Sequence, residues 1–190
     1  MAKRYDQMIP LIAEHRPRKI VEVGVHRALR AMKLCQEALK YRDWVSYTGY
    51  DVFETMNPKF QEAALNGKGT ALQAEAENRL RTVHGLEWQL IVGDTRDTLH
   101  GADVEADFAF IDGDHRVEAI AGDYAALRNT RVITFDDYYL PDAQGKTPDL
   151  TKYGANAIVD AITDATVVIL PVGDQCKHGG YSRLALVIRD

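Results

Sequence analysis

Apolar and polar positions follow two rhythms along this chain. Short apolar runs recur at residues 19–23, 44–50, 86–92, 108–111, 131–135, 165–170 and 183–188, the first five closed by glycine or an acid, and each reads as a strand. Between them the apolar spacing stretches to that of a helix. Tyr5, Met8, Ile9 and Ile12 line one face of a first helix that Pro17 ends, and Leu29, Met32, Cys35 and Leu39 line a second that runs to about Tyr41. Leu72, Ala76 and Leu80 mark a helix over 71–83, and Val117, Ile120, Ala121, Tyr124 and Leu127 mark another. A short helix toward Leu99, with Thr95 as its cap, and one over 153–162 complete the set.

Strand and helix therefore alternate until the last two strands, which have no helix between them. The last strand must pair antiparallel. The expected fold is α/β, a Rossmann-like three-layer sandwich whose seven-stranded sheet is mostly parallel with an antiparallel last strand. At 190 residues the chain reads as a single domain, residues 1–190, with residues 1–16 as an N-terminal helix. Residues 54–84 make a connection longer than usual, broken by Asn66-Gly67-Lys68-Gly69. It reads equally as a lid or subunit contact and as an exposed helix that merely links strands. Residues 138–152 and 171–182 read as loops.

Composition narrows the partners. A net charge of −5 argues against nucleic acid. The basic runs Lys3-Arg4 and His15-Arg16-Pro17-Arg18-Lys19 read as solvated edges. No apolar run spans a bilayer and no signal peptide is visible, so a cytoplasmic protein acting on a small molecule, with homo-oligomers left open, is the expectation. Cys35 and Cys176 lack a metal or redox spacing. Cys35 reads as a core residue, and Cys176 beside His178 as incidental. Ser46 and Ser182 lie in no nucleophile elbow.

The chemistry gathers at strand ends, where open parallel sheets bind their ligands. Asp112 and Asp114, spaced by Gly113 and followed by His115, close one strand, and Asp136 and Asp137 close the next. Four acids at two strand ends call for a cation, because crowded carboxylates raise one another's pKa. Glu22, Asp51 and Asp94 end three further strands, and Gly24 opens the first turn to a ligand. Asp51 is placed to accept from the hydroxyls of a ribose, and Asp94 to take an adenine amino group or a backbone donor. One glycine is not the dinucleotide fingerprint, and a ring of acids repels a pyrophosphate.

A nucleoside bearing positive charge, as S-adenosylmethionine does, meets these conditions. Val21-Glu22-Val23-Gly24-Val25, Gly49-Tyr50-Asp51-Val52-Phe53-Glu54, Phe110-Ile111-Asp112-Gly113-Asp114-His115 and Phe135-Asp136-Asp137-Tyr138 resemble the class I S-adenosylmethionine-dependent methyltransferases. More narrowly they resemble small bacterial metal-dependent O-methyltransferases of sugar and macrolide pathways. The resemblance covers the chain from about Ile20 onward. It implies that Glu22 and Gly24 contact the methionine part of the donor, Asp51 the ribose and Asp94 the adenine, with Val52 and Asp112 also counted as cofactor-binding. It further implies magnesium on Asp112, Asp136 and Asp137, with Asp114 as general base; His115, by its place beside these acids, is read as binding substrate or metal and counted as catalytic. Ala28 stands where the family usually has another glycine, a departure that bears on donor affinity. The expected activity is methyl transfer to a hydroxyl oxygen with magnesium. The alternatives are a metal-independent methyltransferase and a noncatalytic subunit that binds S-adenosylmethionine.

Overall fold

The structure, a computed structural model, describes residues 3–55, 69–177 and 179–189. Its strands are β1 (Lys19–Val23), β2 (Val45–Asp51), β3 (Leu86–Val92), β4 (Phe108–Ile111), β5 (Val132–Leu140), β6 (Thr166–Gln175) and β7 (Tyr181–Ile188). They form one sheet in the order β3-β2-β1-β4-β5-β7-β6, parallel from β3 through β5 and antiparallel on both sides of β7. The strand order reverses between β1 and β4, which opens a crevice beyond their carboxyl ends. The expected fold class is the one observed.

The two-residue period of a strand sorts the core onto two faces. Ile20, Phe108, Phe110 and Leu186 pack against α1 (Met8–His15), α2 (Leu29–Ala38) and α3 (Gln73–Leu80). Val21, Val23, Ala109, Ile111 and Ile133 pack against α5 (Val117–Leu127) and α6 (Asn156–Val159). Between α3 and α5 in the chain lies the one-turn α4 (Thr95–Thr98). Alternation puts Glu22 on the first face, inside the core and fully buried. Cys35 is buried there too, its thiol pushed up by burial, as a small core residue should be. A 3-10 turn, Lys3–Gln7, leads into α1 and packs against β6 and β7.

Four local expectations change. Asp94, not Thr95, caps α4: its carboxylate accepts from the Arg96 amide. The helix expected over 153–162 shrinks to α6, because Tyr153 is bridged to Arg116 and Gly154 turns the chain at φ +92°. The strand expected to stop at Phe135 runs on to Leu140. It loses its parallel partner there but keeps β7, with a register shift between Phe135 and Tyr138. Residues 171–182 are mostly paired rather than loop, since β6 and β7 continue as a hairpin past a second shift between Ile169 and Gly173. The core of the 54–84 connection, residues 56–68, lies outside the described residues, and with it most of the expected lid. What is described there is α3, tied back when the Gln73 amide donates to Glu54 at 2.8 Å and Arg79 to the Arg27 carbonyl at 2.7 Å.

Candidate active site

The crevice floor is two backbone turns in contact. Gly24 has φ +88°, and a Cβ there would lie 1.9 Å from the Asp112 carbonyl oxygen, so only glycine lets β1 and β4 turn this close together. His26 and Ala28 in the same turn also have positive φ, at +50° and +54°. Asp51 then organises the end of β2: its carboxylate accepts from the His26 amide at 2.6 Å and from the Phe53 amide at 2.7 Å. Asp94 is bound by the Arg96 side chain, which holds its carboxyl below the usual range. Gly24, Asp51, Val52, Asp94, Asp112, Asp114 and His115 all line one pocket, so the structure brings these seven predicted residues together.

Glu22 does not reach that pocket. It accepts from Arg30 at 2.9 Å and from the Tyr47 hydroxyl at 2.6 Å, and burial raises its pKa despite both. Arg30 carries the charge forward, donating to the Gly24 carbonyl at 3.0 Å and pairing with Asp112 at 2.9 Å. Glu22 is thus linked to the pocket through Arg30, which does line it.

The acids expected to hold metal are already engaged. Arg4 places a fork on Asp136, with Nε and Nη2 each 2.8 Å from a carboxylate oxygen. Its Nη1 reaches Asp174 at 2.8 Å, and Nη2 lies 3.9 Å from Asp137. The Tyr5 hydroxyl donates to Asp136 at 2.7 Å and lies 3.3 Å from Asp112. Asp137, held at φ +56° in the β5 irregularity, accepts from the Ser182 hydroxyl at 3.0 Å and lies 2.5 Å from His115 Nδ1. Burial opposes ionising Asp136, yet the Arg4 guanidinium holds its carboxyl well below the usual range. Burial and then the charge on Asp136 push Asp112 up to about 8, so Asp112 keeps a proton at neutral pH.

A magnesium ion needs about six oxygen ligands at roughly 2.1 Å. Of the three expected ligands, only Asp112 Oδ1 is buried with no partner, and no group of three or more candidate ligands that could hold a metal occurs among the described residues. The set does not fit the ion: arginines and a histidine hold the positions that it would take. Asp114 is likewise tied, with both carboxylate oxygens on Arg116 at the start of α5. That makes it a structural anchor rather than a base facing the pocket alone.

Arg4, Tyr5, Arg30 and Ser182 did not stand out in the sequence. The one available signal was electrostatic: buried acids require countercharge, and Arg4 sat in a run read as a solvated edge.

A family model described as a methyltransferase domain matches residues 21–138, well over half the chain. The chain belongs to that family and is an S-adenosylmethionine-dependent methyltransferase; its sheet order with an antiparallel β7 is the class I fold. A search of curated proteins finds no sequence match. Solved structures share the fold at low identity. The O-methyltransferase TomG from Streptomyces achromogenes, involved in tomaymycin synthesis and solved with its methyl donor, is 14% identical with a TM-score of 0.59, over 100% of this chain and 81% of that one. An O-methyltransferase from Bacillus cereus in complex with S-adenosylhomocysteine is 14% identical with a TM-score of 0.60, over 100% and 82%. The Podospora anserina methyltransferase PaMTH1, also bound to S-adenosylhomocysteine, is 18% identical with a TM-score of 0.58, over 100% and 80%.

Proposed function

We propose that this protein methylates a hydroxyl oxygen of a small molecule, with His115 as general base and Asp137 as the residue that positions it. The observation that carries this reading is the 2.5 Å contact between His115 Nδ1 and Asp137 at the wall of the pocket. With Nδ1–H directed at the carboxylate, the lone pair belongs to Nε2, the tautomer a base requires. Ser182 and the Arg4 charge fix Asp137 in turn. The O-methyltransferases among the structural neighbours favour oxygen as the acceptor atom.

The donor supplies an electrophilic methyl group on a sulfonium. In this reading the turn at Gly24 and the unpartnered oxygen of Asp112 face its methionine part. Asp51, beside Val52, takes the ribose, and Asp94 lies toward the adenine. Asp112 gives up its proton when a cation arrives beside it, which leaves its negative charge where the positive charge lies. His115 removes the acceptor proton as the oxygen attacks, and the imidazolium that forms is stabilised by Asp137. Magnesium has no part in this reading, because its expected ligands are spent on Arg4, Arg30 and His115.

The test is turnover of labelled donor with a panel of small hydroxyl compounds, in chelator and in magnesium. Equal rates are expected in both, with His115→Ala slower by about 10²–10⁴-fold and its donor binding retained. Asp137→Asn should shift the pH profile as well as the rate. Turnover that vanishes in chelator and returns with magnesium would show the proton path to be wrong. A fully active His115→Ala would remove the base, and donor binding without turnover of any acceptor would favour a noncatalytic subunit.

A further inference from the structure

The acid cluster is closed by the 3-10 turn Lys3–Gln7, which brings Arg4 and Tyr5 across to β5 and β6. Two guanidiniums lie over the Tyr5 ring, with Arg4 Cζ 4.6 Å and Arg30 Cζ 4.5 Å from its centroid. Stacking of this kind fixes Arg4 in place as well as neutralising its partners. Its side chain is 10% exposed and that of Asp136 is 1% exposed, so the contact is made out of water. One guanidinium thereby touches or faces Asp136, Asp174 and Asp137. The fork holds Asp136 bidentately and Asp174 through one oxygen, and its positive charge repels a divalent ion from the space among these carboxylates.

We propose that Arg4 is the resident cation of this site: it fills the place among Asp136, Asp137 and Asp174 that a divalent ion would need, and its removal converts the cluster into a cation site. In the wild type the carboxylates have their countercharge from the chain itself. Without Arg4, buried Asp136 and half-buried Asp174 lose their ion-pair partner, while Asp137 keeps Ser182 and His115, and the unpartnered oxygen of Asp112 belongs to the same cluster. A hydrated divalent ion then becomes their best partner. The N-terminal turn is, on this view, part of the active centre and not an edge of the fold.

The experiment uses manganese as probe, followed by the paramagnetic resonance of the free ion and by thermal unfolding, with no methyl donor or acceptor present. Wild type should leave the free-ion signal unchanged and shift its Tm by less than about 1 °C. Arg4→Ala should bind about one ion and gain on the order of 5 °C at saturating manganese. Arg4→Lys, which keeps a cation, should bind none. Adding Asp136→Asn to Arg4→Ala should weaken binding at least about tenfold. Manganese binding by wild type that Asp136→Asn abolishes would overturn the proposal, as would a folded Arg4→Ala that takes no ion. Should Arg4→Ala fail to fold even with manganese, a wild type and a folded Arg4→Lys that both ignore the ion uphold the proposal. Because only metal binding is read, a failure here is distinct from a failure of the proposed proton path.

Discussion

The wall of the crevice at the ends of β1, β2 and β3 is held mainly by backbone turns and amides, whereas the wall at β4, β5 and β6 is held by side-chain charges, several of them brought from far apart in the chain. On the first, Asp51 accepts from Phe53, and Asp94 from Arg96, two positions away in each case. On the second, Arg4 reaches Asp136 and Asp174 across 132 and 170 positions. The first wall depends on backbone shape, with positive φ at Gly24, His26, Ala28 and Phe53. The second depends on charge balance among buried groups. A substitution in one should therefore act through sterics, and in the other through protonation.

Gly24→Ala tests the backbone wall and should have the largest effect. The added methyl group would sit 1.9 Å from the Asp112 carbonyl oxygen in a left-handed conformation, and the obstacle is backbone, which cannot rotate aside. A loss on the order of 4 kcal/mol is expected, together with loss of donor binding. Urea unfolding and calorimetry measure the two. A variant as stable as wild type would mean that the β1 and β4 turns are not locked together.

Asp112 tests the charge wall. Its folded-state pKa, about 8, lies above the ordinary 3.8. Between those values the folded protein holds a proton that the unfolded chain has released. Its contribution to stability is therefore full below about pH 4 and declines as pH rises toward 8. Asp112→Asn removes that titration, so its stability relative to wild type should improve as pH rises from 4 to 8, by up to about 1.4 kcal/mol per pH unit. Urea midpoints measured across this range give the difference. A difference independent of pH would mean that Asp112 is ionised throughout. The same proton predicts that donor binding releases a proton near neutral pH, seen as a calorimetric enthalpy that varies with the ionisation enthalpy of the buffer.

The two walls also differ in how far the sequence disclosed them. The alternation of apolar runs and helical faces was enough for the sheet, and strand ends marked by Gly24, Asp51, Asp94 and Asp112 were enough for the pocket. Those features are local, and period and turn chemistry report local structure well. Asp136 and Asp137 were visible as acids, but their partners were not. Nothing near them in sequence says that Arg4 forks onto one and His115 meets the other. The strand boundary failed for a related reason. Residues 136–140 keep pairing only because β7 lies alongside, a tertiary fact that no local pattern contains. The metal expectation followed from counting like charges without their countercharges, and Arg4 and Arg30 supply those.

Ala28 gives the smallest effect and the sharpest contrast with Gly24, four positions earlier in the same turn. Both have positive φ, and Ala28 is fully buried at the start of α2. Its Cβ strains the left-handed backbone by roughly 1–2 kcal/mol, which Ala28→Gly would relieve. Against that stand the loss of a buried methyl group, about 0.8 kcal/mol, and the greater freedom of glycine in the unfolded chain, about 0.5–1 kcal/mol. These terms oppose one another, so stability should change by less than about 1 kcal/mol. Because Ala28 does not line the pocket, donor affinity should change by less than roughly threefold, about 0.65 kcal/mol. A gain above about 2 kcal/mol would show that the turn stores strain at Ala28, and a loss of that size would show that its methyl group holds α2 against the sheet. Either result would set the backbone wall apart from the charge wall for a reason other than the clash at Gly24.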